Sequence, residues 1–409
     1  MSTYRIGSVS RHLIRSTFTQ SLKLQETQQI RRFAASSPKS NRWGTLKLGL
    51  IGAALGAASG TAYSLYSNWT DRSSHMEHQQ IRAKVLDELP KIRITKKYVN
   101  SKDTSGLELI LFQFQTCPFC CKVRAFLDYM GISYSVVEVD AVLRQDLKWS
   151  EYKKVPMVLV RRKDGKYVQL TDSSTIISIL ASYMINPKEQ DAGELADFYP
   201  EISFFDNDGK KKSDIMNKYF LMYQEKPPKG VTSEDQEKER KWRTWADSHL
   251  VHLISPNCYR SRAEAFETFE WFSDAGEWSV HFPKWERDLM VYAGATAMWL
   301  IGGMLKKRYG LSDDVRSHIY DALNKWTDEL KKKNTKFLGG NQPNLADLSV
   351  FGVLSSMEGC QAFKDCLKNT NIGEWFYGVK ELVTKNRGQL IRERVEGKLP
   401  IEQRISLNA

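Results

Sequence analysis

The chain has 409 residues, 41% of them hydrophobic and 26% charged, enough for two or three packed domains. Its net charge of +12 is uneven: residues 1–100 hold 16 Lys/Arg against 5 Asp/Glu, and the remainder holds 44 against 43. A nucleic-acid binder carries its basic patch on the folded domain, so this distribution argues against a nucleic-acid partner. Six cysteines, three of them between 117 and 121, form neither a secreted disulfide framework nor a zinc spacing, and no metal site is expected.

Residues 1–45 form a basic segment. Arg5, Arg11 and Arg15 alternate with Ile6, Val9, Leu13, Ile14 and Phe18, and the first 35 residues contain one acid, Glu26. Such a start reads as a mitochondrial transit peptide, with a basic cytosolic tail as the alternative. Residues 46–70 read as a transmembrane helix. Leu48 to Thr70 is 23 residues without a charge, long enough for a bilayer core of about 30 Å. Tyr63, Tyr66 and Trp69 lie near its far end, and Gly52, Gly56 and Gly60 share one face, which suits interfacial anchoring and close helix approach. Residues 71–105 read as a polar stalk with a short helix over 82–89.

Residues 106–190 carry a βαβ, α, ββα order, that of a thioredoxin-like α/β domain. Strands are expected over 107–114, 134–139, 157–160 and 167–170, the last two joined by an Asp164-Gly165 turn. Helices are expected over 118–130, closed by Gly131, over 141–150, and over 176–184 behind the cap Asp172-Ser173-Ser174.

Gln115-Thr-Cys-Pro-Phe-Cys-Cys121 stands between the first strand and its helix. A thiol there meets unpaired N–H groups and the positive end of the helix dipole, which favour the thiolate. Pro118 suits the first helical position. Cys120 points back toward Cys117 and can resolve a mixed disulfide. Pro156 is expected to be cis, exposing the Val155 backbone to an extended peptide. The Asp172-Ser173 helix start offers N–H groups and a hydroxyl to a carboxylate, alongside ordinary capping.

Residues 191–241 read as a charged linker or insertion, and 242–409 as an all-helical domain. His249 and His252 share a helix face, placed either beside a haem or anionic ligand or in ordinary polar contacts. Leu289 to Leu305 is uncharged for 17 residues and reads as a core helix rather than a second span. Asn344-Leu-Ala-Asp347 reads as a capping box serving the fold. Cys258, Cys360 and Cys366 read as inert.

These motifs carry a resemblance. Thr116-Cys-Pro-Phe-Cys120, Lys122-Val-Arg-Ala-Phe-Leu-Asp128, Tyr152-Lys-Lys-Val-Pro156, Asp172-Ser-Ser174, Leu250-Val-His-Leu-Ile-Ser-Pro-Asn257, Phe337 to Asp347 and Val353 to Gly359 are similar to the type 2 prostaglandin E synthase family, over about residues 106–390. The resemblance implies a thioredoxin-like domain followed by an all-α glutathione-transferase-like domain. It further implies an isomerase converting prostaglandin H2 to prostaglandin E2, with glutathione and possibly haem as cofactors, a homodimer, and a Golgi membrane form released into the cytosol beside the mitochondrial reading. By motif, Cys117 and Cys120 become the catalytic pair, with Cys117 the working thiol. Val155, Asp172 and Ser173 contact glutathione, and Phe114, Pro118, Phe119, Pro156, His249 and His252 complete the ligand-binding set. Phe114 departs from the family's tyrosine and removes a phenol from the mechanism. A glutaredoxin-like oxidoreductase and a non-enzymatic glutathione- or haem-binding protein remain the competing readings.

Overall fold

Strict alternation of large apolar side chains builds one seven-stranded sheet. The computed structural model describes residues 83–140, 143–187, 190–205, 211–222 and 232–392. The expected targeting segment 1–45 and transmembrane helix 46–70 lie outside these described residues.

The sheet contains β1 (Lys84–Leu86), β2 (Lys96–Val99), β3 (Leu109–Gln113), β4 (Tyr134–Glu138), β5 (Met157–Arg161) and β6 (Tyr167–Thr171), and its order is β1-β6-β5-β3-β4-β2 followed by a last strand from the C-terminal end. β3 and β4 run parallel, linked by α1 (Pro118–Met130), and the other pairs are antiparallel. α2 (Ser173–Ile185) follows β6. Leu111, Val136 and Val158 point to the face holding Val123, Phe126, Ile176 and Leu180 of the two helices. Phe112, Val137 and Leu159 point to the other face, which Leu86, Ile92, Ile94, Trp149 and Tyr152 cover. This is the period-2 geometry of a strand buried on both sides.

The chain continues through α3 (Ala192–Ala196), a hairpin of β7 (Glu201–Phe205) and β8 (Lys211–Ile215), and α4 (Ser233–Trp245). A π-helical turn, Ala246–Leu250, joins α4 to α5 (Val251–Cys258). Next come α6 (Arg262–Ala275), α7 (Trp278–His281), α8 (Lys284–Arg308), α9 (Val315–Lys333), α10 (Leu345–Ser355), α11 (Gln361–Asn369) and α12 (Ile372–Asn386). The final strand, β9 (Gln389–Arg392), pairs antiparallel with β2. One hydrophobic core runs from the helix-bearing face of the sheet into this helical body.

α10 is the central strut. Its N-terminus is a capping box in which Asn344 and Asp347 satisfy each other's backbone N–H groups. Asp347, fully buried, also accepts from Leu338 N, Gly339 N and Trp375 Nε1 at 2.9–3.0 Å, so this box serves the fold as expected. α10 meets α1 backbone to backbone at Gly352, where an added Cβ would lie 2.4 Å from Lys122 Cα.

Three expectations need correction. Residues 83–105 are not a stalk with a helix over 82–89: they contribute β1 and β2, because β6 and β4 offer open edges whose hydrogen bonds override weak helix propensity. Residues 191–241 are not merely a charged linker, since they hold α3, the β7–β8 hairpin and most of α4, which starts on a Thr232–Asp235 capping box. The helix expected over 141–150 is a single 3-10 turn, Gln145–Leu147, within the described residues. α8 is the one described helix long and apolar enough to cross a membrane by length and composition. It packs one face into the body through Met290, Gly294, Ala295 and Met298 and leaves Trp285, Tyr292 and Leu300 exposed.

Candidate active site

β3 ends at Gln113, and three residues later the chain turns into α1 with Cys117 at the N-cap and Pro118 in the first helical position. Cys117 N donates to the Phe114 carbonyl at 3.2 Å, and Cys121 N donates to the Cys117 carbonyl at 2.8 Å. Gly131, at φ +68°, closes the helix by donating to Asp128 O, and Ile132 N donates to Leu127 O.

The two thiols of the pair are electrically unlike. A hydrogen bond from the Cys120 thiol is the main cause pulling the Cys117 thiol below its usual value, against burial and with help from the Cys120 and Phe119 N–H groups and Arg124. Burial, then the Cys117 sulfur, pushes the Cys120 thiol well up. Of the two, Cys117 is the thiol whose ionised form is favoured, and Cys120 is the donor that favours it. Cys121 is a separate case. Burial pushes its thiol up, its sulfur accepts from Arg124 Nη2 at 3.0 Å, and its thiol donates to the Gln115 carbonyl at 3.5 Å. Arg124 also holds Gln113 Oε1 at 2.6 Å, and Gln113 in turn donates to the buried Glu138 at 2.9 Å. A polar chain thus backs the cysteine turn.

The Val155–Pro156 bond is cis. Val155 packs with Cys117, Cys120, Phe114 and Phe119 in one cluster. The ladder of β5 begins at Met157, and the Val155 N–H and carbonyl have no partner among the described residues. Asp172, at φ +65°, caps α2 by accepting from Ser174 N and Thr175 N at 3.0 Å. The Ser173 N–H has no acceptor among the described residues. A free extended-backbone edge packed on Cys117 and a free N–H at the start of α2 fit a small peptide thiol with a terminal carboxylate.

His249 lies in the π turn and His252 in α5. His249 keeps an exposed edge, its ring 5.9 Å from that of Trp245, and partial loss of water around it, with the nearby Lys325 and His318, lowers its pKa. His252 stacks on Tyr309 at 4.6 Å, and burial pushes it down to about 4. Their neighbours come from α4, α9 and the end of α8, and Asp247 of the π turn also acts on His252. Cys258 and Cys360 adjoin, and all three C-terminal thiols are buried. Contact with Cys360 and burial push Cys258 well up, and burial pushes Cys366 to about 12, which makes both poor nucleophiles.

Sequence reasoning missed Lys122 and Asp247. Lys122 is fully buried and forms an ion pair with Asp247. Burial draws the Lys122 pKa down, while Lys122 holds the Asp247 carboxyl below its usual range in spite of burial. The only sequence sign was a lysine in the first turns of an otherwise apolar helix face.

The fold is that of a thioredoxin-like α/β domain carrying a helical C-terminal region, and the glutaredoxin family profile matches residues 109–167 of that domain. Prostaglandin E synthase 2 of Mus musculus is 40% identical over 338 residues, covering 82% of this chain and 81% of the relative. That of Danio rerio is 45% identical over 274 residues, covering 66% and 70%. Among solved structures, a glutathione S-transferase III in apo form aligns over 68% of this chain and 95% of its own, with TM-score 0.37 and 12% identity. The chain belongs to the prostaglandin E synthase 2 family and is an enzyme of the isomerase class.

Proposed function

We propose that this protein converts prostaglandin H2 to prostaglandin E2 through the Cys117 thiolate, with glutathione seated along Val155 and the start of α2. The observation that carries this reading is the thiol asymmetry at the start of α1, where the Cys120 thiol and the helix N–H groups favour the thiolate form of Cys117 over that of Cys120. The thiolate attacks one endoperoxide oxygen, forming S–O as O–O breaks, and the released alkoxide takes a proton to become the hydroxyl. Loss of the proton on the carbon bearing the sulfur-bound oxygen then forms the ketone as S–O breaks, returning the thiolate. No net oxidation or reduction occurs. Anchoring through residues 46–70 and homodimerisation belong to the same reading; carbonate extraction of membranes and light scattering of the solubilised chain check them.

The test is product analysis after adding prostaglandin H2 to the full chain. Turnover is expected to persist in Cys120→Ser, whose hydroxyl keeps a donor, and to fall at least about 100-fold in Cys117→Ser. Equal turnover in Cys117→Ser removes the thiol mechanism. The glutaredoxin profile over the Cys-Pro-Phe-Cys turn favours a second reading, thiol–disulfide exchange. Its signature is reduction of a glutathione mixed disulfide by wild type, with a covalent adduct trapped at Cys117 in Cys120→Ser.

A further inference from the structure

A buried ion pair lies beneath the first turn of α2. The Lys122 ammonium, on the thiol helix, meets Asp247 of the π turn, Ser174 Oγ at 2.8 Å and Ser173 Oγ at 3.3 Å. These three partners use its three N–H donors. Asp247 also accepts from Ser174 Oγ at 2.6 Å and Tyr219 OH at 3.0 Å. Arg243, equally buried, donates to the Ser174 carbonyl at 3.1 Å and Ser178 Oγ at 2.7 Å. The start of α2 is therefore gripped from α1, from the π turn and from α4.

This arrangement decides where two hydroxyl hydrogens go. Ser174 Oγ accepts from Lys122 and donates to Asp247, so its hydrogen is committed. Ser173 Oγ accepts from Lys122 but has no acceptor for its own hydrogen among the described residues. With its oxygen occupied by a cationic donor, that hydroxyl is left to donate, beside the equally free Ser173 N–H.

We propose that Lys122 and Asp247 are positioning residues for the γ-glutamyl carboxylate of glutathione: Lys122 leaves the Ser173 hydroxyl as a dedicated donor, and Asp247 balances the charge of the buried lysine. The pair is neutral as a unit, so it orients a donor rather than attracting an anion. This inference rests on the glutathione reading and gives it a residue-level selectivity.

The experiment is calorimetric titration of the full chain with glutathione and with 4-aminobutyryl-cysteinyl-glycine, which lacks only that carboxylate. Wild type is expected to prefer glutathione by about tenfold. In Lys122→Met the preference is expected to fall to about twofold or less. Lys122→Met leaves Asp247 unpaired and buried, so melting curves accompany it. The double variant Lys122→Met/Asp247→Leu removes that stranded charge and carries the same expectation. An undiminished preference in either folded variant overturns the inference. Failure of wild type to bind glutathione overturns the glutathione reading itself, a different result.

Discussion

Cys117 and Cys120 share a helix turn, yet each changes the other in opposite directions, because one hydrogen bond serves only one thiolate at a time. The largest influence lowering Cys117 is the Cys120 thiol, so the two replacements of Cys120 are not equivalent. The alkylation rate of Cys117 by iodoacetamide, followed against pH, is expected to keep its low midpoint in Cys120→Ser and to move upward in Cys120→Ala. An unmoved midpoint in Cys120→Ala would assign the effect to the helix N–H groups alone. The places of Cys117, Pro156, Asp172 and Ser173 were legible from sequence because they follow from local pattern: before a helix, before a strand, at a cap. Lys122 was not. A helical lysine ordinarily stands in water, and only an aspartate 125 residues away makes its burial tolerable.

Elements show the same division between local and distant causes. The βαβ and ββα units read directly from alternation and turn residues, and their observed ends lie within three residues of the expected ones. β1, β2 and the β7–β8 hairpin did not, because short polar strands owe their state to the partner edge they find. The contact of α1 with α10 is equally a matter of fit. Gly352 is needed for close approach rather than for an unusual backbone angle, so Gly352→Ala must push the helices apart. A loss of about 2 kcal/mol is expected in urea unfolding, with Gly303→Ala, where an added Cβ meets nothing within 4 Å, as the matched control. Similar costs for both would place the effect outside the helix contact.

Over the whole molecule, the thiol domain is not a separable module of residues 106–190. Its sheet borrows β1 and β2 from before that range and β9 from the far end of the chain. The return is fastened by Arg387 Nε on the buried Asp128 at 2.6 Å and by Asn386 Nδ2 on the Tyr129 carbonyl at 2.8 Å. A chain ending at Asn386 loses β9 and leaves the Asp128 carboxyl without its cation. About 3 kcal/mol of stability is expected to go with it, read as a lower urea midpoint. An unchanged midpoint would show the strand to be ornamental.

That same return sets the order of events during synthesis. Asn100 Nδ2 bonds the Asn386 carbonyl across 286 residues, so the edge beside β2 stays open until nearly all the described chain has left the ribosome. The cysteine turn is translated early, but the sheet that steadies it is completed among the last steps. Throughout that interval the β2 edge is an unpaired strand edge, so the growing chain, more than the finished fold, is the form exposed to edge-to-edge association.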